Sequence, residues 1–353
     1  MSVPCFGPTP EAVLGQAAWT GPTAVCVPDA TRPMDPTPAL NALQPRVSGD
    51  MKVFVGLGLH RRMTARERTR LSDWSPIEHD PDDTVSTAVV DGIPGSVFRS
   101  VARCRQAIGV GIVELHQYAG VSGGHKAVSV GCGGRRTLAA LHARERVLAK
   151  GVGVGRVDGN PFRAAVDALG RAAGCTHALV WIPDLGEWGF GEPTALVAHA
   201  ARRLRPWTPV QNRYDSVRID IPAAKGRTLY QASRGATYLT ASPNPPLQPG
   251  ARILLVAPLD EGPGHEAGFV AALRSGPPPW SHLLHGPPPT GAGAQRAVML
   301  ALLARDYRLE LRGVANPEPF TRLGITASPE LPPEEAGRLV VPSPFSRLPQ
   351  LAT

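Results

Sequence analysis

The chain has 353 residues, 42% of them hydrophobic, with a formal net charge of +8 and a pI near 9.6. That length accommodates two domains with ordinary cores. The basic residues are scattered, and the densest run, Arg61 to Arg70, is interrupted by Met63, Thr64, Ala65, Glu67 and Thr69. With aromatics at only 5%, this reads as a solvated helix face and excludes nucleic acid as a partner. Five cysteines, an odd number without a C-x-x-C pair, exclude a disulfide framework and a thiolate zinc site. A reducing cytoplasm is the expected location. No apolar run reaches membrane-spanning length, and the N-terminus lacks a basic and apolar leader, so neither membrane nor export is expected.

In chain order, β-branched apolar runs predict strands at Thr23–Val27, Met51–Val55, Ile108–Leu115, Ala178–Ile182, Val217–Ile221, Arg252–Ala257 and Tyr307–Arg312. Helices are expected near 64–73, 95–106, 135–149, 161–174, 193–205, 228–240, 265–274 and 294–306. This alternation predicts an α/β fold of two domains with largely parallel sheets, whose strands read as continuous hydrophobic runs because both faces are covered. The break at Arg205-Pro206-Trp207-Thr208-Pro209 places the domain boundary: 1–206 as the cofactor-binding and catalytic domain, 207–353 as the second α/β domain. The final segment is able to pack back on the first, and the active site is expected in the cleft between the two.

Ligands of parallel sheets sit beyond the carboxyl ends of strands, and the candidate motifs occupy such turns. The first strand runs into Pro28-Asp29-Ala30-Thr31-Arg32-Pro33. Pro33 biases Arg32 toward an extended conformation, from which its guanidinium can clamp a carboxylate, while Asp29 and Thr31 can fix the loop or bond ribose hydroxyls. The second strand runs into Gly56-Leu57-Gly58-Leu59-His60-Arg61, where Arg61 replaces the third glycine of a dinucleotide fingerprint and His60 stands ready for acid–base work. The turn Gly120-Val121-Ser122-Gly123-Gly124 leads to Lys126, with His116 ten residues before that lysine and His142 sixteen after it. His125 and Ala127 break the P-loop pattern, so nucleotide hydrolysis is not expected. Lys126 is one of only four lysines in a chain that otherwise writes positive charge as arginine. An amine can lose its proton and bond a cofactor covalently, which a guanidinium cannot. The histidines can move protons or bind a borderline metal.

The set Asp29-Ala30-Thr31-Arg32, Gly58-Leu59-His60-Arg61 and His116-x9-Lys126-x15-His142 resembles the lactate racemase family, whose members use the nickel-pincer nucleotide. The likeness continues through Gly159-Asn160-Pro161, Tyr230-Gln231-Ala232-Ser233-Arg234 and Glu261-Gly262-Pro263-Gly264. The resemblance implies a racemase or epimerase inverting the α-carbon of a 2-hydroxy acid. It implies that Lys126 carries the cofactor covalently, that His142 binds nickel, and that His60 and His116 are the acid–base pair. Arg32, Gln231 and Arg234 would hold the substrate, and Asp29, Thr31, Ser122, Gly123 and Gly124 would lie near the nucleotide part. Cofactor-synthesis proteins are the implied partners.

Inverting a 2-hydroxy acid means removing hydrogen from a feebly acidic carbon, and a hydride acceptor avoids the carbanion while a histidine takes the hydroxyl proton. The chain departs from the family where lysine usually ends the Tyr-Gln motif and Arg234 stands instead, at Ser129-Val130, where leucine and proline are common, and at Ala140-Leu141, where asparagine is common before His142. These departures turn the expectation away from lactate as substrate. Two other readings compete: a noncatalytic protein that binds or stores the nickel nucleotide, and a pyridoxal-phosphate enzyme with its imine on Lys126.

Overall fold

In the computed structural model, which describes residues 3–291 and 293–352, two mainly parallel sheets carry the fold. The first has seven strands in the spatial order Cys5–Gly7, Glu187–Gly191, Cys175–Ile182, Gln106–Ile112, Thr23–Pro28, Met51–Gly56, Ile77–Glu78. Its five strands from 175–182 to 77–78 pair in parallel, and the two at the other edge are antiparallel. The second sheet has five parallel strands in the order Thr326–Ser328, Arg308–Arg312, Leu247–Val256, Tyr214–Asp220, Leu339–Val341.

The central strands are covered on both faces, which is why their sequences lack alternation. Val25, Cys26, Phe54, Val55, Ile108, Val110 and Leu179 are fully buried. Each large aliphatic or aromatic side chain removed from water in this way contributes about 1.5–3 kcal/mol.

From the strand Thr23–Pro28 the chain passes first to the neighbour Met51–Gly56 on one side and then to Gln106–Ile112 on the other. The order therefore reverses at Thr23–Pro28, and the crevice beyond its carboxyl end is the place such sheets offer a ligand. The chain's end returns across the molecule. Leu348–Leu351 pairs in parallel with Trp207–Val210, and the Phe345 carbonyl accepts from the Leu115 amide at 2.9 Å.

Two expected helices are corrected. Residues 93–98 form a strand, hairpin-paired with Thr84–Val90, and only Arg99–Ala102 of the expected 95–106 is helical. The cause is Asp91-Gly92, both at positive φ (48° and 73°), the two-residue turn that matches the twist of paired strands. The expected helix 135–149 is two, Arg135–Leu141 and Arg144–Val147. Ala143 is extended between them, leaving His142 at the end of the first.

Candidate active site

One cavity of about 620 Å³ opens at the reversal of the first sheet. Its wall takes the ends of three adjacent strands at Val27–Asp29, Gly56–His60 and Val110–Ile112, then the turn and helix around Lys126 and the end of the helix at His142. The far wall comes from the second half of the chain: Tyr230 and Arg234 of the helix Leu229–Thr240, Glu266, and residues 288–291, 293–296 and 298. Arg32, His60, His116, Lys126, His142 and Arg234, separated by up to two hundred residues in sequence, all border it.

The turn before Lys126 is held from behind. Gly123 and Gly124 take φ of 87° and 65°, and a Cβ on Gly124 would stand 2.6 Å from the Val197 side chain and 2.9 Å from the Pro193 carbonyl. Buried Arg163 donates to the Val121 and Gly123 carbonyls, both at 3.3 Å, and is itself fixed by Asp167 at 2.7 Å. Ser122 donates its hydroxyl to the Ile112 carbonyl at 2.6 Å and accepts from the Glu114 amide. Gly123 and Ser122 reach the cavity, whereas Gly124 packs behind the turn. Burial pushes the Lys126 amine well below its ordinary range, reinforced by Arg32, Arg234 and Arg163, which favours the uncharged nucleophile.

The three histidines are all anchored through Nδ1, and they differ in whether the anchor leaves a proton on Nε2. At 2.6 Å, His60 Nδ1 donates to Asp29 Oδ2, so Nε2 keeps its lone pair. Burial alone would raise the Asp29 carboxyl, but His60, Arg32 and Thr31 outweigh it and hold it well below the carboxylate range. The other Asp29 oxygen accepts from the Thr31 hydroxyl at 2.6 Å and its amide at 3.1 Å. Asp29 and Thr31 thus fix the loop and orient His60, and Thr31 does not line the cavity.

His116 is buried, and its Nδ1 accepts from the Tyr118 and Ala119 amides at 3.3 and 3.1 Å. Its proton is therefore on Nε2. Burial, then Lys126, Arg234 and Arg32, push its pKa well down, so the ring is neutral. His142 Nδ1 donates to the Leu138 carbonyl at 2.9 Å, which leaves Nε2 bare. Burial lowers it to about 4, against the Leu138 bond, which raises it. A neutral imidazole with a free Nε2 and an anchored Nδ1 is the form that binds a metal. Among the described residues no three His, Cys, Asp or Glu side chains gather into a metal site.

Sequence reasoning missed Tyr118, whose ring stands between His116 and His142 at 5.9 and 6.0 Å. It also missed Arg296 and Glu266; nothing in their local sequence distinguishes them. The Gly-Asn-Pro motif acts here indirectly: Asn160 caps the helix Pro161–Ala172 and donates to the Tyr118 carbonyl at 2.7 Å. Glu261-Gly262-Pro263-Gly264 likewise accepts, through the Gly262 and Pro263 carbonyls, from the amides of Leu229 and Tyr230, placing the helix that carries Arg234. Gln231, on that helix, is half-buried and does not border the cavity.

Fold and site together define an α/β protein with a ligand cavity at the switch point of a parallel sheet, lined by histidines, a perturbed lysine and arginines. Residues 16–152 match the family described as lactate racemase N-terminal domain. The whole fold is shared with lactate racemase apoprotein from Thermoanaerobacterium thermosaccharolyticum, at a TM-score of 0.80 and 16% identity over 99% of this chain and 95% of that one. A structural-genomics protein from Thermotoga maritima is similar at a TM-score of 0.68 and 14% identity, covering 95% of this chain and 94% of that one. No curated protein sequence matches the chain. Among the described residues, no helix is long and apolar enough to cross a membrane.

Proposed function

We propose that the chain is a 2-hydroxy acid racemase or epimerase dependent on the nickel-pincer nucleotide, with domains 1–206 and 207–353 meeting around the cavity and a substrate other than lactate. The observation that carries the reading is the convergence of Lys126, His142, His60, His116 and Arg32 on one cavity. The donor set fits the cofactor: an uncharged amine for a covalent link, a bare His142 Nε2 for nickel, and Gly123 where a main chain can approach an anion. When bound, the cofactor supplies a reversible hydride acceptor.

The protein's own groups do the rest. Arg32 has no side-chain acceptor among the described residues and is free to hold the substrate carboxylate bidentately. Arg234 lies on the opposite helix for the remainder of the molecule. The His60 Nε2 lone pair takes the hydroxyl proton, and Asp29 stabilises the imidazolium so formed. His116 offers Nε2–H as a hydrogen-bond donor. To serve as base for the other substrate hand it must exchange its two amide donors for an acceptor. The His60–Asp29 pair, a device for moving a proton, favours an enzyme over a storage protein.

The test is intact mass and metal analysis after co-expression with cofactor-synthesis proteins, then a chiral assay across 2-hydroxy acids. A cofactor-sized adduct and nickel should appear in the wild type and vanish in Lys126→Ala, together with all activity. An adduct that survives the substitution moves the attachment elsewhere, and a borohydride-trapped imine would replace this reading with pyridoxal-phosphate chemistry.

A further inference from the structure

Two guanidinium groups face the cavity with free edges. Arg296, 3% exposed, lies on the helix Ala294–Asp306, and its Nη1 donates to Gln117 Oε1 at 2.6 Å and Thr237 Oγ1 at 2.9 Å. Those bonds fix the plane of the group, and its Nε is buried without a partner. Arg234, 7% exposed, stands one turn before Thr237 on the helix Leu229–Thr240, and its Nε is also buried and unpartnered. Each group lies 5.9 Å from an aromatic centroid, Tyr118 for Arg296 and Tyr230 for Arg234. Among the described residues neither makes an ion pair with a carboxylate.

A buried lysine or histidine escapes such a position by shedding its proton, but a guanidinium cannot. The cavity's own acids do not supply the missing charge: Asp29 is committed to His60 and Thr31, Glu145 is exposed and pairs with neither arginine among the described residues, and Glu266 acts on Arg234 only through its field. A buried charge without a partner is strongly unfavourable unless a ligand completes it.

We infer that Arg296 and Arg234 form a second oxyanion-binding wall, distinct from Arg32, and that Arg296 is a specificity-determining residue. The ligand it selects carries two anionic ends, as a dicarboxylic or phosphorylated 2-hydroxy acid does, with one carboxylate at Arg32 and the second anion at the Arg234–Arg296 wall. This rests on reading the cavity as the site of a 2-hydroxy acid, but its test needs no turnover. An oxyanion at this wall has two sources, the far end of the substrate or a nucleotide phosphate, and the probes separate them.

Isothermal titration of the cofactor-free chain with malate, lactate and nicotinic acid mononucleotide is the experiment. Malate should bind at least roughly tenfold tighter than lactate, and Arg296→Gln should bring malate down to the lactate level. A collapse of mononucleotide binding with malate unaffected would assign the wall to a nucleotide phosphate and overturn Arg296 as a specificity-determining residue. Arg234→Lys, on a different helix, is measured in parallel so that a folding defect in Arg296→Gln leaves a second reading. Equal wild-type affinity for malate and lactate, or binding of both dianions that survives both substitutions, overturns the inference. A dicarboxylate preference without racemisation by the loaded enzyme would instead sink the proposed function and leave the oxyanion wall standing.

Discussion

The two sides of the cavity use the same residue type in opposite ways. On the side of the first two strands, His60 is partly exposed and donates to a carboxylate held ionised by its neighbours. On the other side, His116 and His142 are packed around Tyr118, and among the described residues their hydrogen-bond partners are all main-chain groups. The side with a carboxylate can accept and stabilise a proton. The side without one keeps its imidazoles neutral, with the tautomer chosen by whether the backbone offers N–H or C=O. Ring chemistry is therefore set by the hydrogen-bond partner of the nitrogen that faces away from the ligand.

The comparison breaks most sharply at Asp29. His60→Ala should lower racemisation by roughly 10²–10⁴-fold, and Asp29→Asn should reproduce much of that loss because it removes the charge that stabilises the imidazolium. His116→Ala should cost as much in turnover, with cofactor and nickel retained in all three variants. A chiral assay run from each enantiomer decides it: if Asp29→Asn slows nothing, the His60 side is no proton-accepting device. Solvent deuterium sharpens the point. A hydrogen that leaves and returns as hydride brings little deuterium to the α-carbon, and full exchange would replace hydride transfer by two-base proton chemistry.

A smaller effect is expected at Arg234, whose fork clamps a carboxylate where lysine offers a point charge. Arg234→Lys should lower kcat/KM for the preferred acid by roughly tenfold and raise relative activity on lactate. A wild type that already prefers lactate over larger acids would make Arg234 a plain substitute for lysine.

The smallest effect is on stability. Behind the Lys126 turn, His125 is fully buried, and burial lowers it to about 4, partly opposed by Asp167 and Glu192. Because its folded pKa lies below the unfolded value near 6.5, the unfolded chain binds the extra proton first. Stability should then rise with pH between about 4 and 6.5, and His125→Leu should flatten that rise. Asp29 has the opposite ordering of charge. Its depressed pKa contributes stability above the unfolded value near 4, lost only as pH falls through the carboxylate range. Urea denaturation at several pH values separates the two, and an unchanged slope in His125→Leu would show that its burial does not tax protonation.

Much of the site is legible in the order of the residues. The glycine turn, the rare lysine and the histidines at fixed spacing carry their chemistry in residue type, and the covered parallel strands announce themselves as unbroken apolar runs. The Asp91-Gly92 turn is legible too, flanked by Thr84–Val90 and Ile93–Phe98, but the helical spacing downstream masks it. The break at His142 is not, because nothing local forces Ala143 to be extended.

The sequence alone determined which groups can do chemistry, since nucleophilicity, tautomerism and permanent charge belong to side chains. Only the tertiary structure decided what each is set to do. Burial and the nearby Tyr118 and Ala119 amides set His116, while other groups depend on partners far along the chain: Asp29 for His60, and Gln117 and Thr237 for Arg296. Those partners meet only when two sheets and the helix Ala294–Asp306 close on one cavity.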